Sequence, residues 1–490
     1  MDVLDRFFDI AARMPDHKAV HEACGIITFG ELAHFISRIA HETAVCPHPK
    51  VLICLPQGAN AYAAMFATLM VGGYYAPINL DAPAERQQNV IDQFKPNVII
   101  TNTDAQNKCD LDVAQIGSAQ VINLDKLGDD VLSQPLAQHK LAYVIFTSGS
   151  TGTPKGVEVG RQGLGHYIDW AIQAMAPSPE DKWSQFPPIS FDLSVLDIYG
   201  ALCSGATLYP FTSEVDRMMP ARTIQKHGLT IWNSVPSVIS MMMQARQLTT
   251  THLRTLRLAT FCGEPLLPEH LDGLFSARPN LVVHNTYGPT EATVSFTLIK
   301  LTADTYKLRC KSSAALGFPI PGMKLHLVGG SHPDEGEIVI SGPQVAKGYW
   351  NNPEATRQAF RTLDLNGVAT QAYFTGDWAT YEENDLFFVS RIDFQAKING
   401  YRIELEDINA AVRKVTSTVA YAVAVKNELH CFIEQDPKEP LNPSELVKHL
   451  GNHLETYAIP KYFHQVSRLP RNVNDKIDHR ALEEYVQKNV

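Results

Sequence analysis

Short apolar, β-branched runs alternate with helix-period segments through most of the first 390 residues, and that alternation restricts the chain to α/β units built on mainly parallel sheet. Val98-Ile99-Ile100 and Ala142-Tyr143-Val144-Ile145-Phe146 read as buried strands, and 221–226 as a helix. From Val339 the text turns strand-rich, with Gly and Asn-Pro punctuation, ending in a strand over 385–390. Beyond 391–393 a stretch of about 97 residues has its own pattern: strand 395–398, helix 406–415, strands 419–425 and 429–433, helix 443–454. The sequence therefore predicts a large N-terminal unit of sheets flanked by helices, with a β-rich subdomain, over 1–392. A small α+β lobe follows over 393–490, with the boundary at Asp393. A length of 490 residues suits such a division, since domains run to roughly 100–200 residues.

Charge and cysteines narrow the classes. A net charge of -10 argues against nucleic acid as the partner. Eight cysteines contain no C-x-x-C pair and no zinc-like spacing, which fits free thiols in a reducing compartment. The N-terminus is charged from Asp2 onward and lacks a signal-peptide apolar core. The uncharged stretch 61–78 contains Gly72-Gly73 and Pro77 and follows the apolar run 51–55. A strand followed by a buried helix ending at Gly72-Gly73 explains it better than a membrane span. The expected location is cytoplasmic, without membrane insertion.

The densest chemical signal is Phe146-Thr147-Ser148-Gly149-Ser150-Thr151-Gly152-Thr153-Pro154-Lys155-Gly156-Val157, directly behind a buried strand. Glycines let backbone N–H groups face an anion, hydroxyls add donors, and Lys155 adds positive charge; together they make a phosphate cradle. It is not a Walker A loop, because Pro154 stands where the second Gly belongs and Gly156 follows the lysine. The competing reading is a flexible surface loop.

This string resembles the phosphate loop of the adenylate-forming superfamily, and further motifs of that family follow in register. Ile27-Thr28-Phe29-Gly30-Glu31-Leu32 and Tyr74-Tyr75-Ala76-Pro77-Ile78 resemble its first two motifs. Asn285-Thr286-Tyr287-Gly288-Pro289-Thr290-Glu291 is similar to its adenine and magnesium motif, and Tyr373-Phe374-Thr375-Gly376-Asp377 to its ribose motif. The segment 391–398 resembles its hinge, and Asn474-Asp475-Lys476-Ile477-Asp478 its C-terminal lysine motif. The resemblance implies ATP and Mg2+ as cofactors, with Thr147, Ser148, Gly149, Ser150, Thr151, Gly152, Lys155, Asn285, Thr286, Tyr287, Thr290, Asp377, Arg391 and Lys476 binding ATP. It implies Glu291 and Lys476 as catalytic groups and Asp393 as the hinge. The residues suit these roles. Tyr287 can stack on a purine, Glu291 can hold Mg2+ beside phosphates, and Asp377 can accept from two ribose hydroxyls. Lys476 can neutralise charge building at the α-phosphate. The bland readings are turn chemistry for Tyr287 and Glu291 and a helix cap for Asp377. Asp475 and Ser390 replace glycines usual in the family.

Pro187-Pro188-Ile189-Ser190-Phe191-Asp192-Leu193-Ser194-Val195-Leu196-Asp197 separates subfamilies. Amino-acid-activating members carry an aspartate where Asp192 stands, and a buried carboxylate calls for a cation such as an α-ammonium. The competing reading makes Asp192 a helix cap. The resemblance gives Leu193, Leu196, Asn233, Thr260, Cys262, Thr286, Val294 and Ser295 as the other substrate-binding positions, closest to the branch that loads D-alanine onto a carrier protein. It implies activation of a small amino acid, D-alanine first, and transfer to a phosphopantetheinylated carrier protein on a separate chain. Asn233, Thr260 and Ser295 are polar for a site built around one methyl group. L-Alanine, serine and proline therefore stay open, as do an acyl-CoA synthetase using free CoA and a non-catalytic binding descendant.

Overall fold

The structure, a computed structural model, describes residues 2–489 apart from 109–118, 148–153, 366–367, 393–394, 417, 436–440 and 472–476. Its contacts divide the chain into two compact units. One comprises Met1–Leu80, Gln93–Phe146 and Gly156–Ser390; the other comprises Asp81–Asp92, Thr147–Lys155 and Arg391–Val490.

The first unit is the mixed α/β body that the strand–helix alternation predicts. A nine-stranded sheet runs in the order Phe318–Pro319, Thr297–Leu301, Val282–Tyr287, Leu258–Phe261, Ile231–Ser234, Lys182–Gln185, Thr207–Pro210, Lys18–Glu22, Gly25–Thr28. The six strands from Val282–Tyr287 to Lys18–Glu22 pair in parallel, and the flanking strands are antiparallel. Helices cover both faces, so these strands are buried on both sides and read as continuous apolar runs. Two clusters record the two faces: Trp183, Ile231, Leu258 and Cys262 belong to one core, and Trp232, Ala259, Phe261 and Val283 to the other.

A six-stranded sheet holds Lys50–Ile53 beside Tyr74–Pro77 in parallel register. Between them Ala59–Met70 forms a helix buried on nearly every side. The uncharged stretch is thus a core crossover, and no helix among the described residues is long and apolar enough to cross a membrane. Gly72, at φ +71°, turns the chain out of that helix; a Cβ there would stand 2.0 Å from the carbonyl oxygen of Ala137. An antiparallel sheet then carries Lys324–Gly329, Glu335–Ser341, Val368–Glu382 and Phe360–Leu365 in that order, with Asp385–Arg391 paired to the long third strand.

The second unit has its own core of Ile403, Ile408, Val412, Leu429, Cys431, Ile433, Leu446 and Leu450. Strands Val419–Val425 and Glu428–Glu434 form a hairpin. Its tip, Lys426-Asn427, has φ of 50° and 64°, which matches the twist of the strands as a type I′ turn does. One span differs from expectation. The helix over 443–454 ends at Leu450, because Gly451 and Asn452 follow it and its last backbone groups close in tight turns.

Candidate active site

Period-2 alternation sends Asn233, Thr260, His284 and Thr286 to one face of the nine-stranded sheet. Asn233 pairs with Thr260 across one strand boundary, and Thr260 with His284 across the next. The helix Leu193–Leu202 lies on this face, and Asn233 Nδ2 donates to the carbonyl of Leu193 at 3.3 Å. Asn233, Thr260, Cys262, Thr286, Val294, Ser295, Leu193 and Leu196 are all buried, and Ser295 Oγ lies 3.4 Å from the Tyr167 hydroxyl. Burial sets the Tyr167 phenol well above its ordinary pKa; the Ser295 contact pulls it back, and Cys262 and Asp192 add to the rise. Asn233, Thr260 and Thr286, attributed to the substrate site by resemblance, therefore share one face of one sheet, with Leu193 on a helix bonded to that face.

Asp192 stands at the N-terminal boundary of the buried helix, but its side chain caps nothing there. The helix-cap reading is excluded. Its charge contributes to the raised phenols of Tyr143 and Tyr167, behind the larger effect of burial. The Tyr143 hydroxyl is buried and finds no hydrogen-bond partner among the described residues.

Val294 and Thr293 take positive φ, 71° and 56°, a genuine strain for β-branched residues. The fully buried Gln344 holds this segment. Its Nε2 donates to the carbonyls of Ala292, Thr293 and Ser295 at 3.1, 3.3 and 2.9 Å, while Thr293 Oγ1 donates to its backbone carbonyl at 2.7 Å. Sequence reasoning missed Gln344, and its place in Gly342-Pro343-Gln344 carries no local signal. It also missed Tyr167 and gives Asp197 no role. A carboxylate inside an apolar helix, one turn beyond Leu193, was a signal that could have been used.

Two of the nucleotide candidates of the first unit are bonded to each other, and a third, Glu291, to a tyrosine. Tyr287 ends the strand Val282–Tyr287 and donates its hydroxyl to Asp377 Oδ2 at 2.5 Å. Asp377 lies within the strand Val368–Glu382 with its backbone N–H bonded to Thr375 Oγ1, so it caps no helix. Glu291, fully buried in the short turn Thr290–Ala292, accepts from the Tyr349 hydroxyl at 2.7 Å. Among the described residues no cluster of three or more His, Cys, Asp or Glu could cage a metal. A lone buried carboxylate fits a Mg2+ ion that takes its other ligands from phosphates. Asn285 is placed apart from Thr286, on the opposite face of their strand, with Nδ2 donating to the Ala315 carbonyl at 2.8 Å.

Thr147, Lys155 and Arg391 belong to the second unit. Lys155 Nζ pairs with Glu404 at 3.1 Å, and Arg391 and Arg402 both donate to Gln395 Oε1 at 2.8 Å. Ser148, Gly149, Ser150, Thr151, Gly152, Asp393 and Lys476 lie outside the described residues.

Comparison with known proteins agrees with the fold. The model of the AMP-binding enzyme family matches residues 7–350. The D-alanine–D-alanyl carrier protein ligases of Staphylococcus epidermidis and Staphylococcus aureus are 32% and 31% identical, each comparison covering 99% of this chain and 99% of the relative. The adenylation domain AlmE of Vibrio cholerae, solved with glycyl-adenosine-5'-phosphate, superposes with a TM-score of 0.85 at 26% identity, covering 99% of this chain and 98% of that one. An artificially fused adenylation–carrier di-domain from Klebsiella oxytoca shares the fold at a TM-score of 0.82 and 23% identity, covering 94% of this chain and 93% of that one.

Proposed function

Because the chain belongs to the AMP-binding enzyme family and is an ATP-dependent ligase, we propose that it activates a small amino acid as aminoacyl-AMP. It then passes the acyl group to the phosphopantetheine thiol of a separate carrier protein, in the cytoplasm. D-Alanine is the first-choice substrate. The observation that carries this reading is Asp192, a carboxylate at the head of a buried helix that it does not cap, one residue before Leu193, whose carbonyl accepts from the buried Asn233. A carboxylate so placed suits the ammonium of an amino acid. The named relatives and the glycyl adenylate in AlmE support a small side chain.

In the first half-reaction the substrate carboxylate attacks the α-phosphorus of ATP and pyrophosphate leaves; in the second the carrier thiolate attacks the acyl carbon and AMP leaves. Tyr287 and Asp377, already bonded to each other, would meet adenine and ribose. Thr147, Lys155 and the loop between them would meet the phosphates. Glu291 would hold Mg2+, which lowers the charge of the triphosphate. Lys476 would offset charge at the α-phosphate, and a lobe over 393–490, hinged at Asp393, would turn between the two half-reactions.

A second reading has its own support. Asn233 Oδ1 and Thr260 Oγ1 are buried without a hydrogen-bond partner among the described residues, which favours a small hydroxylated amino acid such as serine. Exchange of labelled pyrophosphate into ATP, run with D-alanine, L-alanine, glycine, serine and proline, ranks these. We expect a small amino acid to support exchange and Asp192→Asn to lower it about 10²–10³-fold, the scale of an ammonium left without its carboxylate partner. Exchange with acetate or fatty acids, and with no amino acid, would leave a ligase of another substrate class.

A further inference from the structure

Three backbone carbonyls, of Ala292, Thr293 and Ser295, converge on Nε2 of the fully buried Gln344 at 3.1, 3.3 and 2.9 Å. They converge because Thr293 and Val294 both take left-handed backbone, which curls the chain around one point. Carbonyl oxygens gathered out of water need a donor among them, or each keeps its desolvation cost. The other end of the same amide is also held. Gln344 Oε1 lies 2.9 Å from Nδ1 of His166, on the helix Arg161–Met175. With Nε2 committed to three acceptors, Oε1 has to face the ring, so His166 Nδ1 carries a hydrogen and donates it. A flipped amide would set its oxygen against three others.

The same helix closes on this segment at further points. Ser295 Oγ lies 3.4 Å from the hydroxyl of Tyr167, the residue after His166. One turn earlier, a Cβ on Gly163 would stand 3.0 Å from Thr293 Oγ1 and 3.4 Å from Gln344 Cα, tighter than side chains normally pack. The far edge of the imidazole is confined as well, since a Cβ on Gly322 would stand 2.8 Å from His166 Nε2.

Resting on the reading of Val294 and Ser295 as amino-acid-binding positions, we propose that His166 and Gln344 are positioning residues that set amino-acid selectivity. His166 orients the Gln344 amide, and the amide keeps Thr293 and Val294 left-handed. That backbone in turn fixes where the side chains of Val294 and Ser295 stand. The effect is local to the amino acid. Glu291, in the turn just before, is held separately, by the Tyr349 hydroxyl at 2.7 Å and by the Ala346 N–H to its carbonyl at 2.8 Å. Without the clamp, two β-branched residues return to negative φ and the wall they form shifts. Larger amino acids then gain on the best small one, while the carboxylate assigned to Mg2+ stays in place.

Pyrophosphate exchange by the full chain, with amino acid and ATP varied in turn, tests the role. Gln344→Leu and His166→Leu are expected to raise KM for the best amino acid about tenfold or more and to narrow its lead over larger ones. KM for ATP should stay within about twofold. His166→Asn, whose amide nitrogen reaches the place of imidazole Nδ1, should recover most of the loss. KM for amino acid and for ATP rising together, or asparagine and leucine at 166 behaving alike, would overturn the proposal. Should Gln344→Leu fail to fold, the two variants of half-buried His166 decide by themselves. Nitrogen NMR of the full chain tests the clamp without turnover. The His166 Nδ1 signal, identified by its loss in His166→Asn, is expected to be that of a hydrogen-bearing nitrogen at mildly alkaline pH. A bare Nδ1 in the native protein would overturn the clamp. Should no amino acid support exchange by the native protein, the functional reading fails, and the nitrogen signal still decides the clamp.

Discussion

Thr260 and Phe261 are consecutive residues of one strand, and the two faces they point to differ in kind. On the Phe261 side lie Trp232, Ala259 and Val283, an apolar layer whose polar side chains find partners: Trp232 Nε1 donates to Ser234 Oγ at 2.9 Å and Asn285 Nδ2 to the Ala315 carbonyl at 2.8 Å. On the Thr260 side lie Asn233, His284 and Thr286, equally out of water, with Thr260 Oγ1 and Asn233 Oδ1 unpartnered among the described residues. A parallel sheet covered on both sides needs no polar residue on either face for stability. Buried hydroxyls and amides without partners lower stability. On the proposed function they are kept to face the amino acid, which would make the polar face the site and the apolar face the scaffold.

The largest expected effect falls on the scaffold. Phe261→Ala should destabilise the first unit by about 3–5 kcal/mol, the scale of a large aromatic removed from a packed core. Chemical denaturation reads the loss, and the ranking of amino acids in pyrophosphate exchange should stay as it was. A changed ranking would mean that the two faces are not separable.

Next comes His284, on the site face. Burial, then Lys300 and Arg257, lower its pKa from 6.5 to about 4. The folded protein holds this ring neutral, while the unfolded chain takes up a proton below 6.5. Stability from this group is therefore complete above pH 6.5 and drains away as pH falls toward 4, by about 3 kcal/mol at most. His284→Gln should flatten that part of the stability–pH curve. An unchanged slope would assign the acid sensitivity to other groups.

What was legible in the sequence follows the same division. Strands 395–398 and 419–425 were readable to the residue, because alternation and the Lys426-Asn427 turn are local signals. Tyr287, Glu291, Asp377 and the substrate positions were readable only through motif resemblance. Their pairings were not. Tyr287 and Asp377 are 90 residues apart, and Tyr349 lies 58 residues from Glu291. Nothing local announces that a phenol will meet a carboxylate across such a separation. The left-handed Thr293–Val294 step and the Gln344 clamp were hidden for the same reason: the strain is set by neighbours distant in the chain. Asn233 and Thr260 could be seen as polar, but that they lack partners is a property of packing.

Cys262 follows Phe261 and belongs to the core on the site side. Cys262→Ala should relax discrimination between amino acids by about 1–3 kcal/mol, the scale of one or two methyl groups. Exchange with slightly larger or opposite-handed substrates should rise relative to the best native substrate. An unchanged selectivity profile would place Cys262 in ordinary packing.

The smallest effect is the most discriminating. Thr260→Val keeps the shape of the side chain and removes a hydroxyl that has no hydrogen-bond partner among the described residues. A structural hydroxyl would cost stability when removed. This one should not: folding free energy should stay level or rise by about 1 kcal/mol, since a buried polar group without a bond no longer has to be desolvated. Pyrophosphate exchange should fall at the same time, through KM for the amino acid rather than KM for ATP, because the proposed function puts Thr260 with the amino acid and the Tyr287–Asp377 pair with the nucleotide. Stability and activity moving in opposite directions on one residue is what a site face predicts. The two falling together would make Thr260 part of the scaffold, and the contrast between the faces would rest on Asn233 alone.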